Sequence, residues 1–160
     1  GEVFVTRGGK SLSRKQIWAE MKSLCALADS YGVRLTLENV HWCQYHEVGY
    51  AKNLRPFLED CSLGYTLDVK QAAQSGYPME GYLEEMGDRL CNLHLCDITE
   101  QEGMVYTSLP GQGNFDFVHL AALLREKNFN GAVTMEVYPD DWEKENELRQ
   151  SFAFLRALFE

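Results

Sequence analysis

Val33-Arg34-Leu35-Thr36-Leu37-Glu38-Asn39 reads as an apolar strand that runs out into a carboxylate. Three later segments follow the same plan. Residues 62–67 end in Asp68, residues 90–93 lead to His94, and residues 132–135 end in Glu136. The four end residues lie 30, 26 and 42 positions apart, close to the length of one strand-plus-helix unit, so the repeat is one of supersecondary structure. Units of that kind build a parallel sheet, and in such a sheet all four side chains arrive at the carboxyl edge, where ligands and catalytic groups collect.

The segments between the strands supply the helices. Glu2 to Thr6 is β-rich, and Ser13 with Gln16 then forms a capping box ahead of Ile17, Met21, Leu24, Cys25 and Ala28, which fall on one stripe until Gly32 stops the helix. Beyond Glu38 comes an aromatic loop with His41 and His46, after which Asn53 is placed to cap a short helix holding Pro56 in its first turn. Residues 68–76 and 79–86 read as two helical pieces broken at Tyr77-Pro78, and residues 97–114 as a long polar connection carrying Pro110-Gly111-Gln112-Gly113. Asp116 caps the next helix, Asn130-Gly131 turns into the last strand, and the final helix puts Leu148, Phe152, Leu155 and Phe159 on one face. This is βα five times over within residues 1–160, with no linker or low-complexity tract, so one α/β domain is expected.

Composition narrows the function. The chain has 15 Lys and Arg against 24 Asp and Glu, a formal charge of −9, which disfavours nucleic acid and anionic membrane surfaces as partners. No apolar run approaches the roughly 20 residues of a membrane span, and no signal peptide is seen. Cys25, Cys43, Cys61, Cys91 and Cys96 are odd in number and include no Cys-x-x-Cys pair, which fits buried thiols in a reducing, cytoplasmic setting. The first residue is Gly1 and a strand follows almost at once, which suggests a processed or truncated chain.

Glu38, Asp68, His94 and Glu136 make three carboxylates and one imidazole, a hard, oxygen-rich set suited to one divalent cation such as Mn²⁺, Mg²⁺ or Co²⁺ rather than tetrahedral zinc. An ion there would polarise vicinal oxygens of a substrate and acidify the C–H between them. Glu38 and Glu136, arriving from different strands, are then the candidate base and acid on opposite faces. His41, Lys70, Gln71 and Asp97 follow these strand ends and are the candidate substrate-binding residues.

Leu-Glu38-Asn, Thr-Leu-Asp68, Leu-His94-Leu-Cys-Asp97, Gly111-Gln-Gly113 with Asp116, and Met-Glu136-Val resemble the C-terminal half of the xylose isomerase-like TIM barrels. That family includes sugar phosphate isomerases/epimerases, ketose 3-epimerases and endonuclease IV. The resemblance implies the C-terminal portion of a (β/α)8 barrel, one metal on the matching Glu, Asp, His and Glu, and proton exchange between the two Glu residues and a sugar or sugar phosphate through an enediolate. The sequence departs from the ketose 3-epimerase branch at Gln71, where that branch has His, and at Glu100, where it has Arg. It also lacks the Asp-x-His pair of the endonuclease branch before its Gly-x-Gly loop, which argues against a three-zinc phosphodiesterase.

A full barrel takes eight strands and ~250 residues. The first three units are therefore expected to be absent, leaving two unpaired sheet edges and part of an apolar interior facing water, so that the chain self-associates. The competing expectation is a non-catalytic half-barrel that binds carbohydrate or serves as a scaffold.

Overall fold

A computed structural model describes residues 3–5, 9, 11–43 and 49–160. His46 lies outside them. The chain opens with β1 (Val3–Val5) and β2 (Ser11–Ser13), which pair antiparallel. The expected first strand therefore exists, but it pairs with β2 in a sheet of its own instead of joining the parallel one, and the short link between β1 and β2 allows only the antiparallel arrangement. Helix α1 (Arg14–Ser30) begins at the expected capping box: Gln16 N donates to Ser13 Oγ at 3.3 Å, and Ser13 N donates to Gln16 Oε1 at 2.9 Å. Gly32, at φ 68°, follows its end. Its buried stripe is centred on Trp18 and Cys25, two turns apart, with Met21 packed beside them, while Leu24 is 51% exposed.

Strand β3 (Thr36–Glu38) leads to α2 (Tyr50–Leu58). This helix starts earlier than the sequence suggested, with Gly49 at its N-cap, so Asn53 and Pro56 are interior and Asn53 is not the cap. The bond that Pro56 cannot donate falls near the helix end, where little helix remains to be disrupted. Three carbonyls just beyond are collected by one guanidinium, with Arg89 donating to Leu58 O at 2.7 Å and to Cys61 O and Leu63 O at 2.9 Å each. Leu58 O, the one of the three that belongs to the helix's last turn, also accepts from Cys61 N at 3.0 Å, so Arg89 ties the helix end to the segment that leads into the next strand.

Next come β4 (Gly64–Asp68), α3 (Val69–Ser75) and α4 (Met79–Met86), the two helices separated by Gly76 at φ 70° and by Pro78. A 3₁₀ turn at Gly87–Arg89 precedes β5 (Leu90–Leu95). The expected irregular connection after β5 contains a second hairpin, β6 (Asp97–Gln101) and β7 (Met104–Ser108). Its two-residue turn has Glu102 at φ 52° and Gly103 at φ 77°, the left-handed pair that matches strand twist. Helix α5 (Phe117–Glu126), capped by Asp116 as expected, leads to β8 (Ala132–Met135) and α6 (Glu145–Phe159). On α6 the buried residues are Ser151 and Leu155, and Phe152 is 52% exposed, so the inward face is rotated from the one expected.

β3, β4, β5 and β8 form one parallel sheet in that order. Four of the five expected units thus share a sheet, as in a portion of a (β/α)8 barrel. Alternation along the strands separates two faces. Tyr65, Leu67, Leu93 and Leu95 are buried in the core with Leu54, Leu58, Leu83, Leu120 and Leu124 from the helices. Thr66, Asp68, Asn92 and His94 alternate with them and make the opposite face polar. That face is not the apolar interior the sequence reading expected. No helix among the described residues is long and apolar enough to cross a membrane, and no disulfide joins the described cysteines.

Candidate metal centre

The parallel register brings the four strand ends together. Asp68 lies level with His94, Glu38 with Thr66 and Thr134 with His94, and Glu136 N continues the ladder to Leu95 O at 2.9 Å. Glu38, Asp68 and His94 each offer a donor atom, and these atoms lie within 4.8 Å of one another. His94 Nδ1 is 3.6 Å from Glu38 Oε2 and 2.5 Å from Glu136 Oε2. Yet His94 Nδ1 and Glu136 Oε2, both shut off from solvent, make no hydrogen bond, so the 2.5 Å approach is a contact at an angle no hydrogen bond satisfies.

Buried polar atoms without partners call for an explanation, and a cation provides one. An octahedral ion with bonds of about 2.1 Å sets adjacent donors roughly 3 Å apart, a spacing that the 3.6 and 2.5 Å separations bracket. Electrostatics agrees. Burial raises the pKa of Glu38, with the charges of Asp68 and Glu136 adding to the rise and His94 opposing it. Burial likewise raises that of Asp68, against the hydrogen bond from Gln71 N. Carboxylates crowded in this way are eased by a positive charge. The residues present therefore fit a divalent cation.

Asp68 is placed by its neighbours. Its Oδ1 accepts from Gln71 N at 2.8 Å, capping α3, and its main chain is clamped by the Asn39 side chain, which accepts from Asp68 N at 2.8 Å and donates to Asp68 O at 3.1 Å. Asn39 is 1% exposed, and nothing in the sequence marks it beyond its place after Glu38, because its role depends on a contact 29 positions away. Gln71 and His41 are joined: Gln71 Oε1 accepts from His41 N at 3.0 Å and lies 2.7 Å from His41 Nδ1. Lys70 Nζ donates to the Tyr138 hydroxyl at 2.5 Å. Burial pulls the Lys70 pKa down, but Tyr138 and the charge of Asp68 outweigh it and the net shift is upward. Tyr138, two residues beyond Glu136 as Lys70 is beyond Asp68, escaped the sequence reading.

Asp97 does not join the cluster. Its carboxylate is buried and already engaged, Oδ1 accepting from Ile98 N and Phe115 N and Oδ2 from Gly111 N, each at 2.9 Å. The Gly111-Gln112-Gly113 motif serves that contact. Gly111 sits at φ 91°, and a Cβ on Gly113 would lie 2.5 Å from Asp97 Oδ1. This carboxylate pins a loop, and at 1% exposure it is out of a substrate's reach.

A family model for the xylose isomerase-like TIM barrel matches residues 4–158. No curated protein matches the sequence. Among solved structures, 3-keto-D-glucoside 4-epimerase from E. coli superposes with a TM-score of 0.69 at 21% identity, covering 98% of this chain and 60% of its own. D-psicose 3-epimerase from Clostridium cellulolyticum H10, solved with D-tagatose, gives 0.71 at 18% identity, covering 98% and 61%. The IOLI protein, solved with a zinc atom, gives 0.72 at 20% identity, covering 98% and 60%. At these identities the likeness speaks for the fold, and the chain spans about 60% of the length of these neighbours. Because the family match runs over nearly every residue, this protein belongs to the xylose isomerase-like TIM-barrel family.

Proposed function

We propose that this chain is the metal-holding portion of a divalent-metal-dependent sugar or sugar-phosphate isomerase/epimerase, folded as a single domain. The observation that carries the reading is the meeting at one sheet edge of Glu38, Asp68 and His94, three donors within 4.8 Å of one another, with Glu136 joined to them through His94 Nδ1. Mn²⁺ suits the set best, with Mg²⁺ or Co²⁺ as alternatives. When bound, the ion supplies polarisation of neighbouring oxygens on an α-hydroxycarbonyl sugar. The chain's own part is proton transfer. One of Glu38 and Glu136 takes the proton from the carbon beside the carbonyl, and the other returns it. The raised pKa of Glu38, due first to burial, moves that carboxylate toward the range of a base working near neutrality. Lys70, held by Tyr138, and the joined pair His41 and Gln71 form the substrate-binding rim.

The test is solvent exchange. The chain, and a longer parent carrying all eight strands, are incubated with Mn²⁺ and a panel of ketoses, aldoses and sugar phosphates in D₂O. Deuterium is expected at the carbon next to the carbonyl, more in the eight-stranded protein because misplaced substrate costs rate heavily. It should be lost in Glu136→Gln while the metal content stays. A protein that binds metal but exchanges no carbon-bound proton with any sugar overturns the catalytic reading in favour of a carbohydrate-binding scaffold.

A further inference from the structure

Each of the four candidate metal ligands has a polar residue two positions before it, on the same face of the sheet: Thr36, Thr66, Asn92 and Thr134. These four are joined. Thr66 Oγ1 donates to Thr36 Oγ1 at 2.7 Å, Asn92 Nδ2 donates to Thr66 Oγ1 at 3.3 Å, and Thr134 Oγ1 donates to Asn92 Oδ1 at 3.2 Å. The row crosses β3, β4, β5 and β8 without a gap.

Backbone register does not account for it. Thr66 and Asn92 are level, but Thr36 is level with Gly64 and Thr134 with His94, so the two outer contacts are diagonal. Diagonal neighbours on a sheet lie farther apart than level ones, so each of these contacts depends on how its side chains are turned. Asn92 is the longest of the four, and its amide carries both a donor and an acceptor, so it bonds to β4 on one side and β8 on the other. Asn is also a residue that strands avoid, and β5 is a central strand with a neighbour on each side. An unfavourable residue at the centre of a complete polar row, directly beneath His94, is explained by what it holds.

We infer that Asn92 is a positioning residue, locking β4, β5 and β8 at the spacing that brings Asp68, His94 and Glu136 around a divalent cation; this rests on the metal reading of the site above. The row acts through the strands and touches neither the ion nor the substrate. Groups hydrogen-bonded directly to metal ligands typically cost roughly 10–100-fold in metal affinity when lost, and a row that acts one residue further out belongs at the lower end of that range.

The experiment compares Mn²⁺ titrations with thermal unfolding of the metal-free protein. Asn92→Leu keeps the number and branching of side-chain heavy atoms, with somewhat more bulk, and removes both bonds. Thr134→Val, at an exposed position, removes only the bond to β8 and leaves packing intact. Val133→Ala is the control, since it thins the opposite, helix-packed face of β8 and leaves the row alone. The expected result is Mn²⁺ binding weakened about tenfold or more in Asn92→Leu and several-fold in Thr134→Val. Val133→Ala should lower the unfolding temperature while binding Mn²⁺ as the wild type does. If Thr134→Val, and Asn92→Leu where it folds, bind Mn²⁺ with wild-type affinity, the inference falls and the metal centre stands. A wild-type protein that takes up no divalent ion at millimolar concentration brings down the metal reading and this inference with it.

Discussion

Replacing Asp97 with Asn changes charge and hydrogen-bonding sense while leaving shape alone, so its cost can be reckoned from three bonds. Oδ1 accepts from Ile98 N and Phe115 N, and Oδ2 from Gly111 N. The single oxygen of Asn can keep the first two, but its NH₂ then faces the Gly111 N–H, donor against donor. A hydrogen bond to a charged group is worth about 1.5–3 kcal/mol, and the two that survive drop from charge-assisted to neutral, roughly half as strong. Because Asn no longer bears the cost of burying a charge, the lower figures apply, and one bond lost with two halved comes to about 3 kcal/mol. Gly113 leaves little slack to absorb it, because the space beside it is narrow enough that a Cβ there would lie 2.5 Å from Asp97 Oδ1 and 2.6 Å from Ile98 O. For a chain of this length each kcal/mol moves the unfolding temperature by about 2–4 °C, so Asp97→Asn should unfold roughly 6–12 °C below the wild type, with a matching loss of midpoint in urea. Its affinity for Mn²⁺ should be unchanged. Wild-type stability combined with weakened metal or sugar binding would refute this reasoning and return Asp97 to the substrate-binding role that its place after His94 suggests.

Two further outcomes follow from the same geometry. Burial, first of all, raises the pKa values of Glu38 and Asp68 above their ordinary 4.5 and 3.8, so the metal-free folded state holds protons that the unfolded chain has released. Their contribution to stability therefore rises as pH falls from neutral through the raised values toward 4.5 and 3.8, and is lost as pH climbs. Unfolding temperatures across that window, with Glu38→Gln as reference, should show the slope, and saturating Mn²⁺ should invert it because binding needs both carboxylates ionised; a slope of the opposite sign without metal would sink the argument. The second outcome concerns association. Among the described residues nothing pairs with the outer edges of β3 and β8, and Leu24, Leu27, Tyr31 and Val33 are all more than half exposed. Light scattering during gel filtration is expected to show more than one copy per particle, joined through these edges rather than through the polar sheet face, and a monomer at micromolar concentration would refute it.

Local signals were legible in the sequence where physics is local. The capping box of Ser13 and Gln16, the stop at Gly32 and the cap at Asp116 depend on residues three or so apart, and each stands where the sequence put it. The four strand ends were readable for a different reason: a period of one βα unit is visible without knowing any contact. The β6–β7 hairpin was missed because its turn is Glu102-Gly103 rather than the Asn-Gly or Asp-Gly pair that marks such turns strongly. Its flanks, with Val105, Tyr106 and Thr107, carried a strand signal masked by polar neighbours. Asp97 misled because a carboxylate beside a candidate ligand looks like part of the same site, and only the return of Gly111 and Phe115 from 14 and 18 residues away reveals its task. The row beneath the ligands was in plain view as a polar residue two before each of Glu38, Asp68, His94 and Glu136, but it gains meaning only once the strands are known to be adjacent.

The strand order itself bears on how the sheet is made. β3, β4, β5 and β8 are neighbours in the same order in which they leave the ribosome, and each pairs with the strand of the unit before it. No later strand has to slide between two that are already joined. The sheet can therefore grow by accretion, every new βα unit finding a finished edge to dock on and covering it in turn. Such growth keeps each pairing close in sequence and limits the loop-closure entropy that slows sheets assembled from distant segments. The exposed edge advances with synthesis, so at any moment only the most recent strand on that side is open to a wrong partner.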